Sequence, residues 1–136
     1  MKVLVDTAIW SLAVRRRKPS EDHRITELAT LIADGRVAMI GPIRQEVLSG
    51  IKERAQFDRL RKYLRAFPNI DLADDDFEEA AALYNRCRAK GIQGSNTDFL
   101  ICAVATRLDL AIFTSDTDFL HFAKALPITL HRAEQS

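Results

Sequence analysis

Three short runs of apolar residues that do not alternate with polar ones constrain this chain most: Lys2 to Val5, Val37 to Ile40 and Leu110 to Phe113. A strand that is apolar on successive residues buries both faces, and such strands belong to parallel sheets covered by helices on either side. Ile70 to Leu72 and Ile128 to Leu130 are shorter and half apolar, as expected of edge strands. Between the runs the period becomes helical. Ile25, Leu28, Leu31 and Ile32 form one stripe, Phe57, Leu60, Leu64 and Phe67 a second, and Phe77, Ala80, Ala81, Tyr84 and Cys87 a third. Pro42 to Leu48 reads as a short helix, and Thr97 to Leu108 is apolar almost all round, which marks the most buried helix. The expected fold is therefore α/β, a three-layer α/β/α sandwich whose five-stranded, mostly parallel sheet carries helices on both faces.

A chain of 136 residues fits one domain, spanning 1–136. It shows no internal repeat or linker; Asp34-Gly35 and the loop Gly91 to Gly94 are its clearest breaks. That loop invites either a close approach to ligand or helix capping by Gly91. A formal net charge of +1 provides no global field for nucleic acid or anionic membrane, so any such partner must be held locally. Cys87 and Cys102 lie within helical patterns at no zinc-binding spacing and read as buried hydrophobes in a reducing compartment. No signal-like or membrane-length apolar stretch is present, and a cytoplasmic protein without a membrane partner is expected.

Candidate chemistry begins with Asp6, which directly follows the first strand, and Asp116, which follows the strand Leu110 to Phe113 after Thr114 and Ser115. In wound parallel sheets ligands bind beyond the carboxyl ends of the strands. If these two strands are neighbours, the acids face one crevice. Asp is also a favoured helix cap, so neither acid is decisive alone. Glu46 stands among the apolar Ile43, Val47 and Leu48, and Asp98 opens the most apolar helix after Asn96, itself a candidate cap. A carboxylate on a buried helix needs a partner. Clustered carboxylates repel unless a cation intervenes, and an all-oxygen set without Cys or His suits Mg²⁺ or Mn²⁺. Metal-assisted hydrolysis of a phosphoryl group is the chemistry such a set performs.

His23, His121 and His131 have no paired spacing and read as surface or packing residues. Arg15, Arg16, Arg17 and Lys18 form a basic run, and Arg54, Arg61 and Arg65 share a helical face; both are solvated surfaces or phosphate contacts. Asp74, Asp75 and Asp76 read as helix-capping acids.

The segments Val3-Leu4-Val5-Asp6-Thr7, Gln45-Glu46-Val47-Leu48-Ser49-Gly50, Ser95 to Ile101 and Phe113-Thr114-Ser115-Asp116-Thr117-Asp118-Phe119 together resemble the PIN-domain nucleases, in order and spacing across essentially the whole chain. Within that superfamily the compact size and the Glu46 to Gly50 stretch look like the VapC toxins of bacterial toxin-antitoxin pairs. The resemblance implies that Asp6, Glu46, Asp98 and Asp116 are the acidic metal-site residues, with Asp118 assisting through water or metal. It makes Thr7 and Thr114 the small hydroxyl residues beside the acids. Ala8 departs from the second hydroxyl that many relatives carry. The resemblance also implies Mg²⁺ or Mn²⁺ dependence, endonucleolytic RNA cleavage, a homodimer and inhibition by a cognate antitoxin.

Two other readings compete with this endoribonuclease. A phosphatase using Asp6 as nucleophile would pair it with an acid two residues on, where this chain has Ala8. A non-catalytic module that binds RNA or protein would use the acids only as caps.

Overall fold

The computed structural model describes residues 1–15 and 22–132; the side chains of the run Arg15 to Lys18 lie outside the described residues. Four strands and seven helices are present among the described residues: β1 (Val3–Val5), α1 (Thr7–Arg15), α2 (His23–Ala33), β2 (Val37–Ala38), α3 (Gly41–Leu48), α4 (Arg54–Leu64), α5 (Asp74–Ala89), α6 (Asn96–Leu108), β3 (Ala111–Phe113), α7 (Asp118–Ala125) and β4 (Thr129–Leu130).

The sheet order is β2-β1-β3-β4, with every pairing parallel. Val3, Leu4 and Val5 are each fully buried. Successive side chains of a strand point to opposite faces, so both faces of β1 are covered by helices. The expected fifth strand, Ile70 to Leu72, is reduced to one bridge between Asn69 and Met39, in which the Ile70 N–H donates to the Met39 carbonyl at 2.8 Å. Pro68 has no N–H to extend this ladder, and β2 is itself only two residues long.

The stripes of α2 and α4 are confirmed by the burial of Leu28, Leu31, Leu60 and Leu64. Helix α5 is rotated from expectation: it buries Asp76, Ala80, Leu83 and Cys87, while Phe77 is 52% exposed and Ala81 lies on the exposed face. The cause is an ion pair. Arg107 of α6 donates from Nε to Asp76 Oδ1 at 2.6 Å and from Nη2 to Oδ2 at 3.0 Å. Satisfying that buried carboxylate turns Asp76 inward and Phe77 outward, so Asp76 is a cross-link between helices as well as a cap. Asp76 Oδ2 also accepts the Ala73 N–H.

Every residue from Phe99 to Ala105 in α6 is buried, as its apolar sequence requires. Gly91, at a φ of +76°, follows the last turn of α5, and the Ile92 N–H returns to the Cys87 carbonyl. This is the capping alternative for that loop. Gly94 is needed for space, since a Cβ there would lie 2.5 Å from the Phe122 ring. No helix among the described residues is long and apolar enough to cross a membrane.

Candidate active site at the carboxyl ends of two central strands

The pairing of Val5 with Phe113 decides the geometry of the site, because it sets the residues following β1 and β3 side by side. The Asp6 N–H continues the ladder to the Phe113 carbonyl at 2.9 Å. Asp6 is 5% exposed, and its carboxylate accepts two hydrogen bonds of 2.7 Å, one from the Thr7 N–H to Oδ1 and one from the Thr114 hydroxyl to Oδ2. The Thr114 oxygen in turn accepts the Asp116 N–H at 3.0 Å, so one hydroxyl ties the two strand ends together.

Asp6 does cap α1, since its carbonyl accepts the N–H groups of Ile9 and Trp10. A simple cap would hold its carboxyl low, through N–H donors and the helix dipole. Here the balance goes the other way: burial pushes the Asp6 carboxyl from 3.8 to about 6, and the charges of Asp98 and Asp116 add to the rise against the two hydrogen bonds. Burial likewise raises Asp98, with Asp116 and Asp118 contributing repulsion.

Asp98 occupies the third position of α6, whose cap is Ser95; Asn96 is the first helical residue and does not serve as the cap. The Asp98 N–H donates to the Ser95 hydroxyl at 3.1 Å, and Asp98 Oδ2 accepts the Ser95 N–H at 3.0 Å. This capping box supplies the partner that the apolar surroundings demand. Asp116 Oδ1 accepts the Asp118 N–H at 2.9 Å at the start of α7, and Asp118 is exposed. Glu46 is exposed on α3, yet Thr7 anchors it by donating to Oε1 at 2.7 Å.

The fold thus brings Asp6, Asp98 and Asp116 within electrostatic reach of one another and attaches Glu46 to the residue after Asp6. Thr7 and Thr114 are the hydroxyls that make these links. Cys102 is a member of this neighbourhood that sequence reasoning placed only as a buried hydrophobe. It lies one turn below Asp98, and the charges of Asp98 and Asp6 help burial raise its thiol. Only its i+4 relation to Asp98 hinted at this.

Each acid is oriented by a protein donor, and among the described residues no three His, Cys, Asp or Glu side chains are gathered closely enough to hold an ion as they stand. The donor chemistry nevertheless suits a hard divalent cation, being all oxygen with repulsion concentrated on a buried carboxylate. Arg54 and Arg61 approach Asp58 on α4 at 3.4 and 3.5 Å, the solvated-face alternative for that helix. His131 packs edge-on against Phe113, and His121 is exposed.

Known proteins resemble this chain in sequence and in fold. Ribonuclease VapC11 of Mycobacterium tuberculosis is 31% identical over 121 residues, covering 86% of this chain and 88% of the relative. A toxin-antitoxin complex from Klebsiella pneumoniae is similar at 25% identity with a TM-score of 0.64, covering 87% of this chain and 90% of that one. VapBC2 from Rickettsia felis, bound to a DNA fragment from its promoter, shares the fold at a TM-score of 0.77 and 19% identity, covering 96% and 98%. The PIN domain family matches residues 3–125, which include all four acids. The chain belongs to the PIN-domain family, and its relatives there carry the VapC ribonuclease name.

Proposed function

We propose that this chain is a Mg²⁺- or Mn²⁺-dependent endoribonuclease, the toxin of a toxin-antitoxin pair whose cognate antitoxin restrains it. The observation that carries the reading is Asp6: a carboxylate 5% exposed, at the mouth between two parallel strands, raised to about 6 with the charges of two further acids adding to burial. Folding tolerates such a cost where function requires it. A divalent cation held by Asp6, Asp98 and Asp116 would supply polarisation of the phosphoryl oxygen and activation of water. Thr114 holds Asp6 and the backbone of Asp116 in fixed relation. Thr7 aims Glu46, the residue to bind metal or to orient the attacking water, and Asp118 stands at the rim. The names of the relatives support RNA as substrate and an antitoxin as partner.

The test is cleavage of an RNA oligonucleotide by the purified chain with Mg²⁺ or with EDTA, beside Asp6→Asn and Asp116→Asn. Loss of cleavage by about 10²- to 10³-fold is expected in each variant, in keeping with removal of electrostatic stabilisation of the reacting centre. Full metal-dependent activity in Asp6→Asn would remove Asp6 from the mechanism. The local capping bonds of Asp98 and Asp116 favour one second reading, a non-catalytic binding module. Under it Mg²⁺ would neither raise the melting temperature nor be needed for any activity.

A further inference from the structure

Beside the acids lies a cleft of about 730 Å³, lined by Asp22, His23, Arg24, Phe113, Thr114, His131 and Arg132. A smaller hollow of about 280 Å³ shares Thr114, His131 and Arg132 with it and reaches Asp116. The larger is within the roughly 300–1,000 Å³ usual for a ligand site, and the smaller extends it towards the acids. Thr114 is the wall that the cleft has in common with the acids, since its hydroxyl is 2.7 Å from Asp6 Oδ2.

We propose that this cleft binds a backbone phosphate of the RNA strand next to the scissile bond, with Arg132 as the principal contact and Arg24 as the second. The inference rests on the ribonuclease reading and names where its substrate runs. A polyanion brought to four carboxylates is repelled there, and a net charge of +1 gives no compensating field, so attraction must come from cations close by. Arg132 is exposed where the two hollows meet, two residues after β4. The residue before it is anchored to β3, because the His131 N–H donates to the Ile112 carbonyl at 2.8 Å and the imidazole packs on Phe113 at 5.4 Å. Arg24, in the same lining, is held by its neighbour Asp22, which accepts from Nε at 2.9 Å and from Nη2 at 2.7 Å. That fork sets the guanidinium plane while leaving Nη1 to donate elsewhere.

The experiment measures binding of a labelled single-stranded RNA oligonucleotide in EDTA by fluorescence anisotropy across a salt series, and separately kcat/KM for its cleavage with Mg²⁺. The proteins are the full chain, Arg132→Gln, the double variant Arg24→Gln/Arg132→Gln, and Arg36→Gln. Arg36 is a control at the opposite end of the sheet, where it donates to the Met1 carbonyl. Arg132→Gln is expected to weaken binding about 3- to 10-fold and to reduce the slope of log K against log salt by about 0.7, the value for one phosphate contact to a single strand. The double variant should reduce the slope about twice as much, and kcat/KM should fall with affinity. Arg36→Gln should leave both unchanged. Because Arg24 belongs to the cap of α2, Arg132→Gln decides alone if the double variant melts lower. A parent chain that binds and cleaves RNA, with an Arg132→Gln variant of equal affinity and slope, overturns this inference only. A parent chain that neither binds nor cleaves RNA overturns the ribonuclease reading and this inference together.

Discussion

Replacing Asp6 by Asn should make the metal-free protein more stable at neutral pH while abolishing its activity. Asp6 carries a proton more readily in the fold than in the unfolded chain, its carboxyl being raised from 3.8 to about 6. At about 1.4 kcal/mol per pH unit, holding it ionised at pH 7.5 costs about 3 kcal/mol. Asn removes that charge and keeps one oxygen to accept either the Thr7 N–H or the Thr114 hydroxyl. Its amide then faces the other donor, a mismatch costing about 1–2 kcal/mol. The net gain is about 1–2 kcal/mol, or about 4–8 °C in Tm for a chain of this length. The sign depends on pH. Stability of the parent rises as pH falls through about 6 towards 3.8, because the folded state takes up the proton first. At about pH 4 the folded Asp6 is protonated and its unfolded counterpart nearly half so, most of the advantage of Asn is gone, and its mismatch outweighs the rest. Thermal melts of both proteins in EDTA at pH 7.5 and pH 4 should therefore cross, with the variant higher at the first and lower at the second. A variant that melts lower by the same amount at both would refute the reasoning and make Asp6 an ordinary cap. Added Mg²⁺ should raise the Tm of the parent and leave that of the variant unmoved.

Thr114→Val keeps the shape but removes the hydroxyl that donates to Asp6 and accepts from Asp116. RNA cleavage should fall by about 10-fold or more, an effect of about 1.4 kcal/mol, with Thr114→Ser restoring most of it. Arg107→Met strands the buried Asp76 and should cost about 2 kcal/mol by urea unfolding, discounted from the value for a fully buried pair because the Arg107 side chain is 43% exposed. Arg107 holds the Asp76 carboxyl below the usual range, so this contribution is full at neutral pH and is lost as acid titrates Asp76; parent and variant should converge in strong acid. Gly94→Ala sets a methyl 2.5 Å from the Phe122 ring and should cost about 1–3 kcal/mol, read as a lowered urea midpoint.

The unbroken apolar runs of β1, β2 and β3, together with the helical stripes between them, determined a parallel sheet covered on both faces, because burial of a whole strand leaves no polar alternation. The position of Asp6 directly after such a strand was legible for the same reason, as was the burial of α6. Periodicity states which face of an element is apolar; it does not state which neighbour covers that face. The pairing of Val5 with Phe113, 108 residues apart in the chain, was settled only in three dimensions. With it came the hydrogen bond from Thr114 to Asp6, the charges that meet on Asp6, and the nearness of Arg132. The rotation of α5 belongs to the same class: Phe77 and Ala81 fit an apolar stripe until Arg107, on another helix, claims Asp76. Local pattern thus determined the layers and the strand-end acids. Contacts between distant residues, which no local pattern encodes, decided which groups share the site.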